Sequence, residues 1–387
     1  MRYRFAFAAM LCSSFFLGCA SDSDDVADDD AMEAQELTAI EETDAEPDEG
    51  EDGIESEPRA DVDDNEGADE ASIDDPEVAA DGSETDDVDG EADLETTGLT
   101  TLDLGGKPTG ASYMAVVEQK TNRIMVFPES DHTWTGRKPN WSWGANNSPQ
   151  IPKGQRGRFD NPSDVKLKKN GTVLVAASGG GIAIVRKSDR RATFVAYPGG
   201  NPHAIETLPG GHVVIASSEG FLCVYSTKKG ASSTCHRTNF AKAHGVVWDS
   251  ARKRLWVVGG TQLGSYSLNG STLKLDKAWK IPGNGHDLMP DGKDTLLFSS
   301  THDVYSFDRV AHTYRSLSKT AKIDPKNYIK GIDRHPRTKE LIISRDHDLS
   351  DKVYGDPLVY RYTASGAKTV FTRTGAQFYK VRWWVAR

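Results

Sequence analysis

Three histidines stand where chemistry could be done. His203, His244 and His286 each open a short apolar run, in the phrases "PHAIETLPGGHVVIA", "AHGVVWDSARKRLWVV" and "GHDLMPDGKDTLLF". Aligned with the phrases that begin at Pro162 and Lys330, they place Ser163, His203, His244, His286 and Lys330 at one repeat position, with Tyr379 as a sixth member. The steps are 40, 41, 42, 44 and 49 residues. Asp164 and Asp287 follow directly. Three chemistries fit this set. Neutral imidazoles could hold one divalent metal, Zn, Mn or Fe, with an open position where bound water drops toward a pKa of ~7. Asp164 would then complete the shell or orient a histidine from behind. Without metal, the imidazoles could be acid–base groups or hydrogen-bond donors, with Lys330 and Tyr379 as electrostatic partners. Alternatively each imidazole bonds a backbone carbonyl of the next repeat and pins the structure. The spacing leaves all three open. No G-x-S-x-G, H-E-x-x-H or Walker pattern occurs, so no catalytic residue is assigned.

The elements that must position these residues are strands. "PSDVKLKKNGTVLVAASGGGIAIV" and "PHAIETLPGGHVVIASSEGFLCVY" match at the proline, at the turn glycines Gly171 and Gly211, and through the apolar runs. Each repeat has a short strand, a polar turn, an apolar strand, a small-residue turn and another strand, with no helical period. Repeats of about forty residues with about four strands predict an all-β fold, a β-propeller, in which each sheet covers its neighbour. Five units lie between Asn161 and Tyr362. A sixth is split: 112–127 and "WSW" (141–143) supply three strands, and "FYKVRWWV" (378–385) supplies the inner one. Strands from both ends thus close a six-bladed ring and remove its open edges. Seven blades is the alternative, because the insertions 131–160 and 308–329 are long enough to hide strands. In a propeller the first strand of each blade lines the central channel, so the aligned residues should form one ring at a channel mouth.

The phrases "NRIMVF", "NPHAIETLPGGHVVIASS" and "HGVVWD" resemble a family of bacterial extracytoplasmic six-bladed propellers without assigned function. More distantly they are similar to NHL, SMP-30 and strictosidine-synthase-like propellers. The resemblance covers most of 111–387 and implies the fold. It implies no activity, because such folds host hydrolases, lyases and plain binding modules.

Residues 1–18 read as a signal peptide: Arg2 and Arg4, an apolar stretch from Phe5 to Leu17, then Gly18 and Cys19. "FFLGC" resembles the lipobox of bacterial lipoproteins, although Phe16 takes the place of the usual leucine. That resemblance implies cleavage before Cys19, acylation of Cys19, a lipid bilayer as partner and, with Ala20 next, an outer-membrane address. Residues 19–98 form the linker. From 22 to 98 it holds 35 Asp or Glu, one basic residue, Arg59, and no aromatic. Such a chain cannot bury enough apolar surface to order itself, so a disordered acidic tether is expected.

The propeller domain, 99–387, inverts the balance. It has 43 Lys and Arg against 23 Asp and Glu, while the whole chain reads −12. That basicity opens a role in binding an anionic polymer such as acidic polysaccharide. The charges are scattered, and no nucleic-acid motif appears. Cys223 and Cys235 are the pair left for the mature domain, and an exported protein would oxidise them. They are expected to face each other across a hairpin centred on Lys229.

Lesser features are set aside. His212, His236, His302, His312, His335 and His347 miss the aligned position, and "RDHDLSD" (345–351) reads as a solvated turn. "SGGGIA" (178–183) lies between strands and is a turn, not a phosphate cradle. Most tryptophans should pack between blades, leaving Trp134 as the candidate sugar-stacking residue. The sequence therefore reads as a monomeric, envelope-anchored propeller that binds a small molecule or saccharide at a channel mouth. A metal-dependent hydrolase or lyase using His203, His244 and His286 is the alternative.

Overall fold

The computed structural model describes residues 112–228, 234–318, 328–346 and 355–387, together with a two-residue strand at Gln35–Glu36. Cys19, Lys229 and His347 lie outside the described residues. Six antiparallel sheets are arranged as a β-propeller. Blade 1 is built from Phe378–Trp383, Tyr113–Glu118, Arg123–Pro128 and Trp141–Trp143, from axis to rim. Blade 2 runs Pro162–Leu167, Thr172–Ala177, Ile182–Arg186, Ala192–Ala196. Blade 3 runs Pro202–Leu208, His212–Ser217, Phe221–Ser226, His236–Asn239. Blade 4 has Ala243–Asp249 and two long strands, Arg254–Asn269 and Thr272–Gly285. Blade 5 runs Asp287–Asp291, Thr295–Ser299, Val304–Asp308, Thr313–Ser316. Blade 6 runs Ile329–Arg334, Leu341–Arg345, Leu358–Tyr362, Lys368–Thr372.

The core explains the ring. It consists of six apolar clusters, one between each pair of successive blades. Val117 and Val126 meet Val165 and Val175 between blades 1 and 2, and Leu174 and Ile182 meet Ile205 and Val213 between blades 2 and 3. The last interface, Ile342 and Val359 against Met114 and Phe127, joins blade 6 back to blade 1. A sheet with apolar side chains on both faces needs a neighbour on each, and only a closed circle provides that. The chain joins the ends of the circle within blade 1, where Phe378–Trp383 pairs antiparallel with Tyr113–Glu118. The insertion at 131–160 holds the rim strand Trp141–Trp143 and two short 3-10 helices rather than a seventh blade.

Two details correct the sequence reading. The Cys223–Cys235 disulfide is present, with Cα atoms 5.5 Å apart. Its two halves are not ladder partners, however: Cys223 faces Arg237, and Cys235 precedes the rim strand. The hairpin register is thus two residues away from one centred on Lys229, and the bridge runs diagonally. Trp134 is fully buried, stacked between Phe127 at 4.8 Å and Phe371 at 5.2 Å, so it offers no face to a sugar.

Candidate functional site at the channel mouth

The aligned residues share a backbone device. In blades 2, 3, 4 and 6 the inner strand carries a β-bulge at the residue the alignment singled out. Pairing skips Ser163 between Pro162 and Asp164, His203 between Pro202 and Ala204, His244 between Ala243 and Gly245, and Lys330 between Ile329 and Gly331. In blade 1 the shift brackets Tyr379 and Lys380. In blade 5 the N–H of His286 and the ladder partner Asp287 both address Ser299. A bulge leaves its extra residue unpaired and re-aims the side chain. Left-handed residues just upstream in three blades, Asn161, Asn201 and Lys242, turn the chain into the inner strand.

The result is a contiguous ring contact at one end of the axis. The His203 and His244 rings stack with centroids 4.3 Å apart, and His286 meets His244 edge-on at 5.3 Å. The Tyr379 hydroxyl lies 2.9 Å from His203 Nδ1. Lys330 Nζ sits 6.0 Å from the Tyr379 ring and 5.7 Å from Tyr328, and Tyr328 lies 5.1 Å from His302. Ser163 faces elsewhere, donating to the Pro202 carbonyl at 2.5 Å. His244 Nδ1 is 2.7 Å from the Lys242 carbonyl, so that nitrogen carries the hydrogen. Nδ1 of His286 is buried and has no hydrogen-bond partner.

Beneath the mouth the axis is filled by ion pairs. Arg382 holds Asp287 through both guanidinium ends, at 2.6 and 2.8 Å, and reaches Asp164 at 2.8 Å. Lys380, fully buried, donates to the carbonyls of His203 at 2.8 Å and His244 at 3.3 Å and pairs with Asp287 at 3.3 Å. Lys166 crosses from blade 2 to the Val246 carbonyl of blade 4 and lies 3.6 Å from Asp164 and from Glu206. The carboxylates also staple blades directly. Asp164 accepts the Ile205 N–H, Asp287 that of Ile332, and Asp333 that of Trp383. Gly245 and Gly331 make this closeness possible. A Cβ on Gly331 would fall 2.8 Å from the Lys380 Cα, and one on Gly245 2.8 Å from the Leu288 nitrogen.

The electrostatics of the two layers differ. Burial, aided by the charges of Lys330 and Lys380, lowers His244 to about 4 and His286 to about 2, and burial with the His244 neighbour holds His203 well below the usual range. All three imidazoles are therefore neutral near pH 7. Burial also lowers Lys330. For Asp164, burial pushes upward, but Lys166, Arg382 and Lys380 outweigh it. Asp287 is likewise pushed up by burial and pulled down further by Arg382 and Lys380.

The structure thus brings together His203, His244, His286, Lys330 and Tyr379, and places Asp164 and Asp287 in the layer below. Among the described residues no three His, Cys, Asp or Glu side chains are arranged to hold a metal ion. Sequence reasoning missed Lys380 and Arg382, whose alternation in "FYKVRWWV" looks like a solvent face, and missed Tyr328 and His302 beside Lys330. A family model described as a family of unknown function, DUF6528, matches residues 111–387. The chain belongs to this DUF6528 family. No curated protein matches it. Among solved structures, a protein of unknown function from Bacteroides caccae is 12% identical, with a TM-score of 0.52 over 70% of this chain and 98% of that one. Hydrazine synthase from Kuenenia stuttgartiensis gives a TM-score of 0.41 at 10% identity over 54% of this chain and 65% of its own. For this DUF6528 member the first likeness speaks to fold alone.

Proposed function

We propose that the protein is a binding module of the cell envelope, anchored through acylated Cys19 at the outer membrane, with its propeller held off the bilayer on the acidic linker. Its ligand site is the histidine mouth. The observation that carries this reading is the contrast in satisfaction. Ion pairs close the layer below, where Arg382 Nε is unbonded but both other guanidinium nitrogens are held, whereas the mouth is a ring of neutral imidazoles in which His286 Nδ1 is buried without a partner. Unpaired buried polar atoms are uncommon and ask for a partner. A metal-free site is favoured over a metal centre for two reasons. The His203 and His244 rings stack on one another, and Nδ1 of each is already engaged, by the Tyr379 hydroxyl and the Lys242 carbonyl. The ammonium groups of Lys330 and Lys380 also oppose a cation.

The test is a thermal-shift screen of neutral sugars, carboxylic acids and sugar phosphates against the mature chain and its His286→Ala and His244→Ala variants. A compound that stabilises the wild type and loses its effect in both variants supports the site. Stabilisation that is equal in all three proteins removes it. Stoichiometric metal in the purified chain that vanishes in His244→Ala would replace this reading with the hydrolase or lyase alternative.

A further inference from the structure

We infer that the histidine mouth takes a compact oxyanion, a carboxylate or a tetrahedral oxyanion, and that the anion brings a proton with it onto Nε2 of His244. This rests on the mouth being the ligand site and names the chemistry of its ligand.

The charges around the mouth can be followed blade by blade. Blade 6 supplies Lys330, with Asp346 set 3.6 Å behind it and engaged through its other oxygen by the Gly355 N–H. Blade 1 supplies the Tyr379 hydroxyl, with Lys380 and Arg382 below. Blade 5 supplies His286 and, one layer down, Asp287, which is shared by Arg382 and Lys380. His302 stands against Tyr328 beside Lys330. Blade 4 supplies His244 over the Lys242 carbonyl. Blade 3 supplies His203, with Glu206 two layers down against Lys166 and Lys168. Blade 2 supplies uncharged Ser163 above Asp164, which is held by Arg382. Every carboxylate near the mouth is thus committed, and the cations are paired in turn, but Lys330, Lys380, Arg382, Lys166 and Lys168 outnumber Asp346, Asp287, Asp164 and Glu206 by one. The cations Lys330 and Lys380 are the charges that the mouth feels most directly. A pocket of that sign attracts an anion.

The tautomers then place the proton. Nδ1 of His244 faces a carbonyl, which can only accept, so the ring hydrogen sits there and Nε2 carries a lone pair. A lone pair repels an oxyanion. Adding a proton at Nε2 converts it into a donor, while the Lys242 carbonyl keeps the charged ring hydrogen-bonded on its other side. The same carbonyl works to raise the His244 pKa, a support that His286 lacks. Lys330 and Lys380 suppress protonation of His244; an anion bound beside them cancels their field and restores it. The proton moves from solvent to the imidazole, and no covalent bond is made or broken.

The experiment is calorimetric titration of the mature chain with galacturonate, sulfate and neutral galactose, at about pH 7.5 and about pH 5.5, in buffers of different ionisation enthalpy. Neither anion titrates in that window. The expected result is that galacturonate or sulfate binds and galactose does not. Affinity should rise up to about tenfold per unit fall in pH, and close to one proton should be taken up per anion. Lys330→Met should weaken binding at both pH values, and His244→Phe should remove the proton uptake. Galacturonate binding without sulfate identifies a carboxylate ligand, and sulfate binding without galacturonate a tetrahedral one. If galactose and galacturonate bind alike, without pH dependence, and His286→Ala abolishes both, the mouth remains the site and the anion inference falls. If neither anion binds at millimolar concentration, the inference falls too. Anion binding that ignores His286→Ala and His244→Phe overturns the inference and the site together.

Discussion

The mouth of the axis and the plug beneath it are built from the same six inner strands, three or fewer residues apart, yet they obey opposite rules. At the plug, Asp164, Asp287, Lys380 and Arg382 are almost fully buried and joined by ion pairs. At the mouth, His203, His244 and His286 are uncharged, and one of their nitrogens is unsatisfied. The comparison separates two uses of buried polarity. Paired charges hold six blades in register. Suppressed charges line the end of the axis with neutral rings. In blades 2, 5 and 1 a single step along the chain separates the layers, from Ser163 to Asp164, from His286 to Asp287 and from Tyr379 to Lys380.

The comparison breaks most visibly at Arg382. Arg382→Met leaves Asp164 and Asp287 without their shared guanidinium, and breaking a buried pair this way costs about 3–5 kcal/mol. The denaturant midpoint should fall accordingly. A loss under about 1 kcal/mol would mean that the plug does not hold the ring. Lys380→Met should cost less, on the order of 2–3 kcal/mol, because Arg382 still covers Asp287 while the His203 and His244 carbonyls lose their donor. Acid titration then sharpens the division. Imidazoles whose folded pKa is depressed stabilise fully above the unfolded value, roughly pH 6.5, and that contribution is lost as the pH falls through about 4 for His244 and on toward about 2 for His286. The depressed plug carboxylates begin to lose theirs only below roughly pH 4. Unfolding midpoints measured from pH 7 down to pH 3 should therefore decline in two stages, with the first stage diminished in His244→Phe. A single decline confined to the lower window would count against suppressed imidazoles. The smallest effect belongs to His286→Leu, which removes an unsatisfied nitrogen from a buried position. Its stability should lie within about 1 kcal/mol of wild type, while any ligand of the mouth is lost. A large destabilisation would make His286 a structural pin.

Much of this was legible in the sequence, for definite reasons. The repeat showed because four of the six blades keep the same small vocabulary, a proline or small residue and then the mouth residue, and because blade interfaces demand apolar side chains on both faces. The split blade showed because "FYKVRWWV" had no partner nearby. The bulges did not show. A bulge is a mismatch between two strands, so no single strand announces it. The roles of Lys380 and Arg382 were hidden for a related reason: alternating cations in a strand look like a wet face unless the strand is known to line an axis. The disulfide was legible as a pair but not as a diagonal, since loop length sets the register and the lysine, glycine and serine residues around Lys229 suit more than one length.

The strand Phe378–Trp383 has a temporal consequence. It delivers the phenol of the mouth and the two cations of its floor, and it is synthesised after every other blade. Until it arrives, Asp287 lacks both of its cations and Asp164 keeps only Lys166. The floor of the mouth is therefore completed only when this last inner strand has been made and has paired with Tyr113–Glu118.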